Sequence, residues 1–100
     1  MTADQEAMKE LERARAKFGR FNSAHEGYAV LLEEVEELKR EVFWGPSLFP
    51  PSVLYDSAEN YKRLRSDERI RLMRAEAVQV AAMALRFIED VCDAEESTNA

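Results

Sequence analysis

Cysteine, glycine and proline are scarce in this chain of 100 residues, which has one Cys, 3 Gly and 3 Pro. The single thiol, Cys92, excludes a disulfide framework within the chain and fits a reducing compartment, so a cytoplasmic location is expected. So little glycine and proline argues for long helices rather than a sheet with many turns. Long hydrophobic runs are missing too. The longest apolar stretch, around residues 75–85, falls short of the roughly 20 residues that span a bilayer, and it contains Glu76 and Gln79. The first fifteen residues are polar and mixed in charge, unlike a secretory leader. Positive charge is in deficit: the net charge of −6 argues against a nucleic-acid polymer as partner, since that would need a basic face. An acidic protein that handles a polyphosphate needs a cation between itself and its substrate.

What the chain does contain is 46% apolar and 34% charged residues, enough to build one helical domain over residues 1–100. Residues 1–17 are the N-terminal segment, with a helix predicted over 3–17 whose Ala7, Leu11 and Ala14 share one stripe. Gly19 breaks it. Ser23 and Glu26 have the spacing of a capping box and open a second helix over 23–43. Tyr28, Leu31, Val35, Leu38 and Val42 are its expected core stripe. Residues 45–55, with Pro46, Pro50 and Pro51, read as a loop. A short basic helix is expected over 56–65, a long helix over 67–92 and a polar tail over 93–100. The long helix has Ile70, Met73, Ala77, Val80, Ala84, Ile88 and Val91 as its expected core stripe. Its middle is apolar on more than one side, so it needs neighbours on more than one face. The expected fold class is therefore all-α, a helical bundle with two long antiparallel helices, completed as a four-helix core by homo-oligomerisation into a dimer or tetramer.

The acidic run Glu33-Glu34-Val35-Glu36-Glu37 carries the chemistry. At about 100° per residue, Glu34, Glu37 and Glu41 fall within an arc of roughly 60° beside the apolar stripe. Glu33 and Glu34 have no Lys or Arg three or four positions away, whereas Glu36 has Arg40 at i+4. Glu33, Glu37 and Glu41 form a string of like charges, each adjacent pair costing about 0.2–0.5 kcal/mol. On the long helix Glu76 and Gln79 repeat the i, i+3 spacing of Glu34 and Glu37, and Glu76 also lacks a basic helical neighbour. If the two helices pack together, three carboxylates and one amide oxygen converge. Hard oxygen donors of that kind suit Mg²⁺ or Mn²⁺.

This pairing of Glu33-Glu34-Val35-Glu36-Glu37 with Glu76-Ala77-Val78-Gln79 resembles the E-E-x-x-E … E-x-x-D signature of the MazG-like nucleoside triphosphate pyrophosphohydrolases. The segments from His25 to Leu32 and from Gln79 to Arg86 resemble a small phage- or prophage-type branch of that family. The resemblance covers roughly residues 18–92. It implies an all-α enzyme that hydrolyses a nucleoside or deoxynucleoside triphosphate to monophosphate and pyrophosphate with Mg²⁺. It further implies Glu34, Glu37 and Glu76 as metal ligands and Glu33 as a supporting or water-orienting carboxylate. The family's last position is Asp, and here it is Gln79, whose amide can ligate Mg²⁺ but brings no charge and cannot act as a base. Trp44 is a candidate for stacking on the base or for plugging the bundle end, and His25 for contacting substrate or for a structural role. Arg86 is a candidate for a phosphate contact or for an ion pair with Asp90 at i+4.

Overall fold

A computed structural model describes residues 1–43 and 67–93. Their helices are α1 (Ala3–Phe18), α2 (Ala24–Phe43) and α3 (Arg69–Phe87), and α3 runs on into a π-helical segment, Ile88–Asp93. No strand occurs among the described residues. The fold is all-α. The loop at 45–55, the short helix at 56–65, Trp44 and the tail beyond Asp93 lie outside the described residues.

Local chemistry explains the helix ends. The backbone N–H of Thr2 donates to Gln5 Oε1 at 2.9 Å, satisfying one donor at the start of α1. Gly19 closes α1 at φ 76°, a left-handed conformation that favours glycine, and its N–H reaches Arg15 O at 2.8 Å. Ser23 caps α2, accepting from Glu26 N at 3.1 Å. The reciprocal arm of the expected capping box is displaced by one residue. Glu26 accepts from the backbone N–H of Asn22 and from its Nδ2, both at 3.0 Å, rather than from Ser23. These two donors hold the Glu26 carboxyl below its ordinary range.

The central helix is α3. It runs parallel to α1, as the Arg74–Glu6 pair near one end and the Arg15–Asp90 pair near the other require. It is antiparallel to α2, since Gly27 meets Phe87 while Glu37 meets Glu76. On α1 the buried residues are Ala7, Leu11 and Ala14, the stripe its periodicity predicts. On the other two helices the packed faces are rotated from the expected stripes. Every residue of α2 that is not exposed belongs to the set Gly27, Val30, Leu31, Glu34, Leu38 and Glu41. Tyr28, at 61% exposure, and Val35 and Val42 lie outside it. On α3, Ala82, Met83 and Arg86 are buried, while Ile70, Ala77 and Ile88 are exposed. The reason is that α3 serves two partners. Glu76 and Phe87 meet α2, Arg74 and Arg86 reach α1 and the turn after it, and a third, apolar ridge stays exposed. Ile70, Ala77, Ala81 and Ile88 fall within about 40° of one another on that ridge.

A polar lock ties the corner between α1 and α2 to the end of α3. Asp90 is buried in the π-helical segment and accepts from the backbone N–H of Phe21 at 3.2 Å and from Arg15 Nη2 at 2.7 Å. Arg86 is also buried. It donates to Gly19 O at 2.8 Å, lies 3.9 Å from the centre of the Phe21 ring and is 3.6 Å from Asp90. Removing one partner would strand a charge.

Gly27 sets the closest approach of α2 and α3, because a Cβ there would lie 2.7 Å from Phe87 Cδ2 and 3.1 Å from Phe21 Cδ2. Alanine is the better helix former by about 1 kcal/mol, but overpacking costs typically 1–3 kcal/mol. Gly27→Ala is therefore expected to lower stability by about 1 kcal/mol, read as a lower denaturation midpoint at unchanged slope. An unchanged or raised midpoint would show that the two phenyl rings make room freely.

Candidate metal centre

The rotation of α2 places carboxylates in the seam where aliphatic side chains would be expected. One oxygen each from Glu34, Glu37 and Glu76 lies within 4.8 Å of the other two. Two residues come from α2 and one from α3, so the cluster exists only because these helices are adjacent. Buried within the same seam, Glu76 Oε2 and Glu41 Oε2 have no hydrogen-bond partner among the described residues. Unpaired oxygens of this kind are costly unless a proton or a cation reaches them.

The electrostatics follow from the geometry. Burial, reinforced by the charge of Glu37 and a hydrogen bond to it, pushes the Glu34 carboxyl up to about 7. Glu76 and Glu33 add to the repulsion. Burial likewise raises Glu76, followed by the charge of Glu37 and a hydrogen bond to it, with Arg40 partly opposing. A carboxyl that burial and neighbouring like charge push up in this way is prepared to exchange its proton for a metal ion. Three hard oxygens on two rigid helices can hold a divalent cation with sites left for water or phosphate.

The remaining candidates are dispersed. Glu33 is exposed and stands beside Glu34 on the wall of a neighbouring cavity. Gln79 lines that cavity as well and lies beside Glu10 on α1, whose carboxyl Arg13, with help from Gln79, holds below its ordinary range. His25 is exposed in the first turn of α2. Arg86 is 4% exposed as a residue, and its guanidinium is directed at Gly19, Met83 and Asp90. Trp44 is outside the described residues. Glu10 could not be read from the sequence as a neighbour of the site, whereas Glu41 could. Glu10 comes from a third helix, with no spacing signal to connect it. Glu41 did lie within the arc of Glu34 and Glu37, which was the available clue.

The shifted carboxyls give a pH dependence with a definite sign. Glu34 titrates near 7 in the folded chain and near 4.5 when unperturbed, so the folded state binds more protons in between. Stability without metal is expected to fall as pH rises from about 4.5 to about 7, lowering the melting temperature by a few degrees. Glu34→Gln should flatten that decline. Mg²⁺ or Mn²⁺ should raise the melting temperature at pH 8 and leave it unmoved at pH 5, where protons hold the site. Glu37→Gln should abolish the rise at pH 8. Equal metal responses in Glu37→Gln and the parent would place cation binding elsewhere.

No helix among the described residues is long and apolar enough to cross a membrane. Comparisons with protein-family models, with curated proteins and with solved structures find no match to this chain.

Proposed function

We propose that this protein is a Mg²⁺-dependent nucleotide pyrophosphohydrolase that converts a nucleoside or deoxynucleoside triphosphate and water to the monophosphate and pyrophosphate. The observation that carries the reading is the meeting of Glu34, Glu37 and Glu76 across the α2–α3 seam, one oxygen of each within 4.8 Å of the others. The unpartnered buried oxygen of Glu76 and the raised Glu34 carboxyl fit a cation in that position. Those three side chains would hold Mg²⁺ (or Mn²⁺), with Gln79 at the fourth position of the motif. When bound, the ion supplies neutralisation of phosphate charge and acidification of a water. Glu33, on the cavity wall beside Glu34, would orient that water and accept its proton. The rest of the seam excludes competing solvent through Leu31, Leu38 and Val80, all partly buried.

A second reading is favoured by Gln79: a weakened or inactive relative that keeps nucleotide or metal binding, or serves assembly. Its amide lies beside Glu10 and adds no charge to the cluster. The discriminating measurement is pyrophosphate release from a panel of ribo- and deoxyribonucleoside triphosphates with Mg²⁺. Turnover that Glu37→Gln abolishes supports the enzyme, and absence of turnover with metal-dependent nucleotide binding supports the second reading. Gln79→Asp is expected to raise pyrophosphate release about tenfold, the effect of an added charge-assisted ligand worth about 1.4 kcal/mol. Without metal the same change should destabilise the fold, because Glu10 loses a donor and gains a like charge. If Gln79→Asp alters neither stability nor hydrolysis, Gln79 takes no part in the site.

The proposal includes a homodimer or homotetramer. Its support is the uncovered ridge of α3 together with Tyr28, Leu32, Val35 and Val42 on α2, all exposed in the single chain. Sedimentation at micromolar concentration should give a multiple of 11.5 kDa. Ala81→Glu tests the ridge directly. Ala81 is exposed in one chain, so a monomer would tolerate the charge, whereas an assembly that buries it should dissociate or melt at lower temperature. A folded 11.5 kDa monomer would overturn this part of the proposal.

A further inference from the structure

A cavity of about 490 Å³ lies in the groove between α1 and α3. That volume is in the usual range for a small-molecule site, roughly 300–1,000 Å³. None of Glu34, Glu37 and Glu76 lines it. Its walls follow from helical periodicity. Glu6, Lys9 and Glu10 stand at i, i+3 and i+4 on α1, and Arg71, Arg74 and Val78 at i, i+3 and i+7 on α3, so each set shares one face. Three cations thus converge from two helices, in a chain whose net charge is −6.

The donors and acceptors of the groove are unequal in what they have left to give. Arg74 pairs with Glu6 through Nη2, and Arg71 with Glu68 through Nη2. A guanidinium has five N–H donors, so Nε and Nη1 of each remain for another partner. Lys9 is exposed and enters no ion pair among the described residues, which leaves an ammonium with three donors. The acceptors, by contrast, are largely taken. Both Glu10 oxygens accept from Arg13, at distances between 2.9 and 3.2 Å. Arg13, with help from Gln79, holds that carboxyl below its ordinary range, and Arg74 does the same for Glu6. What the groove has left over is N–H donors that carry positive charge, the reverse of the α2–α3 seam.

We propose that the α1–α3 groove is an anion site, separate from the carboxylate cluster, that takes a small phosphate-bearing ligand of the size of pyrophosphate without a metal ion. The planar fork of arginine matches phosphate oxygens in pairs, and lysine meets them as a point charge. A diphosphate offers acceptors to both walls at once, one phosphoryl group to Arg71 and Arg74 and the other to Lys9. The site depends neither on hydrolysis nor on a cation at Glu34, Glu37 and Glu76.

The test is calorimetric titration of the whole protein, in metal-depleted buffer, with pyrophosphate and with citrate as a carboxylate of similar charge. Pyrophosphate is expected to bind with a dissociation constant below about 1 mM, and about tenfold more tightly than citrate. Lys9→Gln and Arg71→Gln should each weaken it about fivefold, the effect of losing one partly screened ion pair, and added salt should weaken it further. Glu6→Gln should tighten it severalfold, because Arg74 loses its competing carboxylate; damage to the fold does not produce a gain. Glu37→Gln should bind pyrophosphate as the parent does. Binding no tighter than about 1 mM, citrate equal to pyrophosphate, or Lys9→Gln and Arg71→Gln both equal to the parent would overturn the proposal. Binding that appears only with Mg²⁺ and is lost in Glu37→Gln would put the anion on the carboxylate cluster, overturning this site while the reading of the cluster stands.

Discussion

Mutual repulsion among carboxylates in a helix–helix seam is the constraint around which this protein is arranged. A seam between two antiparallel helices is ordinarily lined with aliphatic side chains, and in α2 several of its positions are taken by glutamate. Glu34, Glu37 and Glu76 meet there, and among the described residues Arg40 is the positive charge that offsets Glu76. Each carboxylate is tolerable alone on a helix surface; together, burial and like charge push Glu34 and Glu76 above their ordinary range. The fold holds its most unfavourable charges where two helices must be closest, and the stability for that comes from elsewhere.

Much of it comes from the opposite end. Leu11, Ala7, Ala14, Ala82 and Met83 form a small core between α1 and α3. The Asp90–Arg15–Arg86 lock then fixes the turn between α1 and α2 through the Phe21 backbone and Gly19 carbonyl. The π-helical segment is what allows this. Its wider winding changes the direction in which Asp90 leaves the helix, and the carboxylate reaches the α1–α2 corner rather than solvent. With that corner held, α2 packs along α3, and Glu34 and Glu37 meet Glu76 farther down the seam.

The sequence made the helical character and the chemistry more legible than the packing. Composition, the Gly19 break, the Ser23 cap and the Ala7/Leu11/Ala14 stripe are local signals, and local signals survive into the structure because they depend on neighbours within a turn. The i, i+3 match between Glu34/Glu37 and Glu76/Gln79 also pointed across the seam, since unbalanced charge on two helices is readable without coordinates. What could not be read was the rotation of α2 and α3. Periodicity identifies an apolar stripe but not its partner, and here Tyr28, Val35, Ile70 and Ile88 remain exposed in the single chain. The same limit applies to Gln79 and Arg86. Their contacts with Glu10, Gly19 and Phe21 come from segments tens of residues distant, with no spacing rule to predict them.

Gly27 and the carboxylates occupy one rigid rod. From Gly27 to Glu37 is about 15 Å of α-helix, so the depth to which Gly27 seats against Phe87 fixes, by leverage, how far apart the two sets of glutamate oxygens stand at the other end. The seam is steric where it is tight and electrostatic where it spreads. A methyl group added at the tight end would thus be felt as a change in the gap between ligands two to three turns away, and the smallest residue in α2 acts as the gauge for the size of ion the glutamates can share.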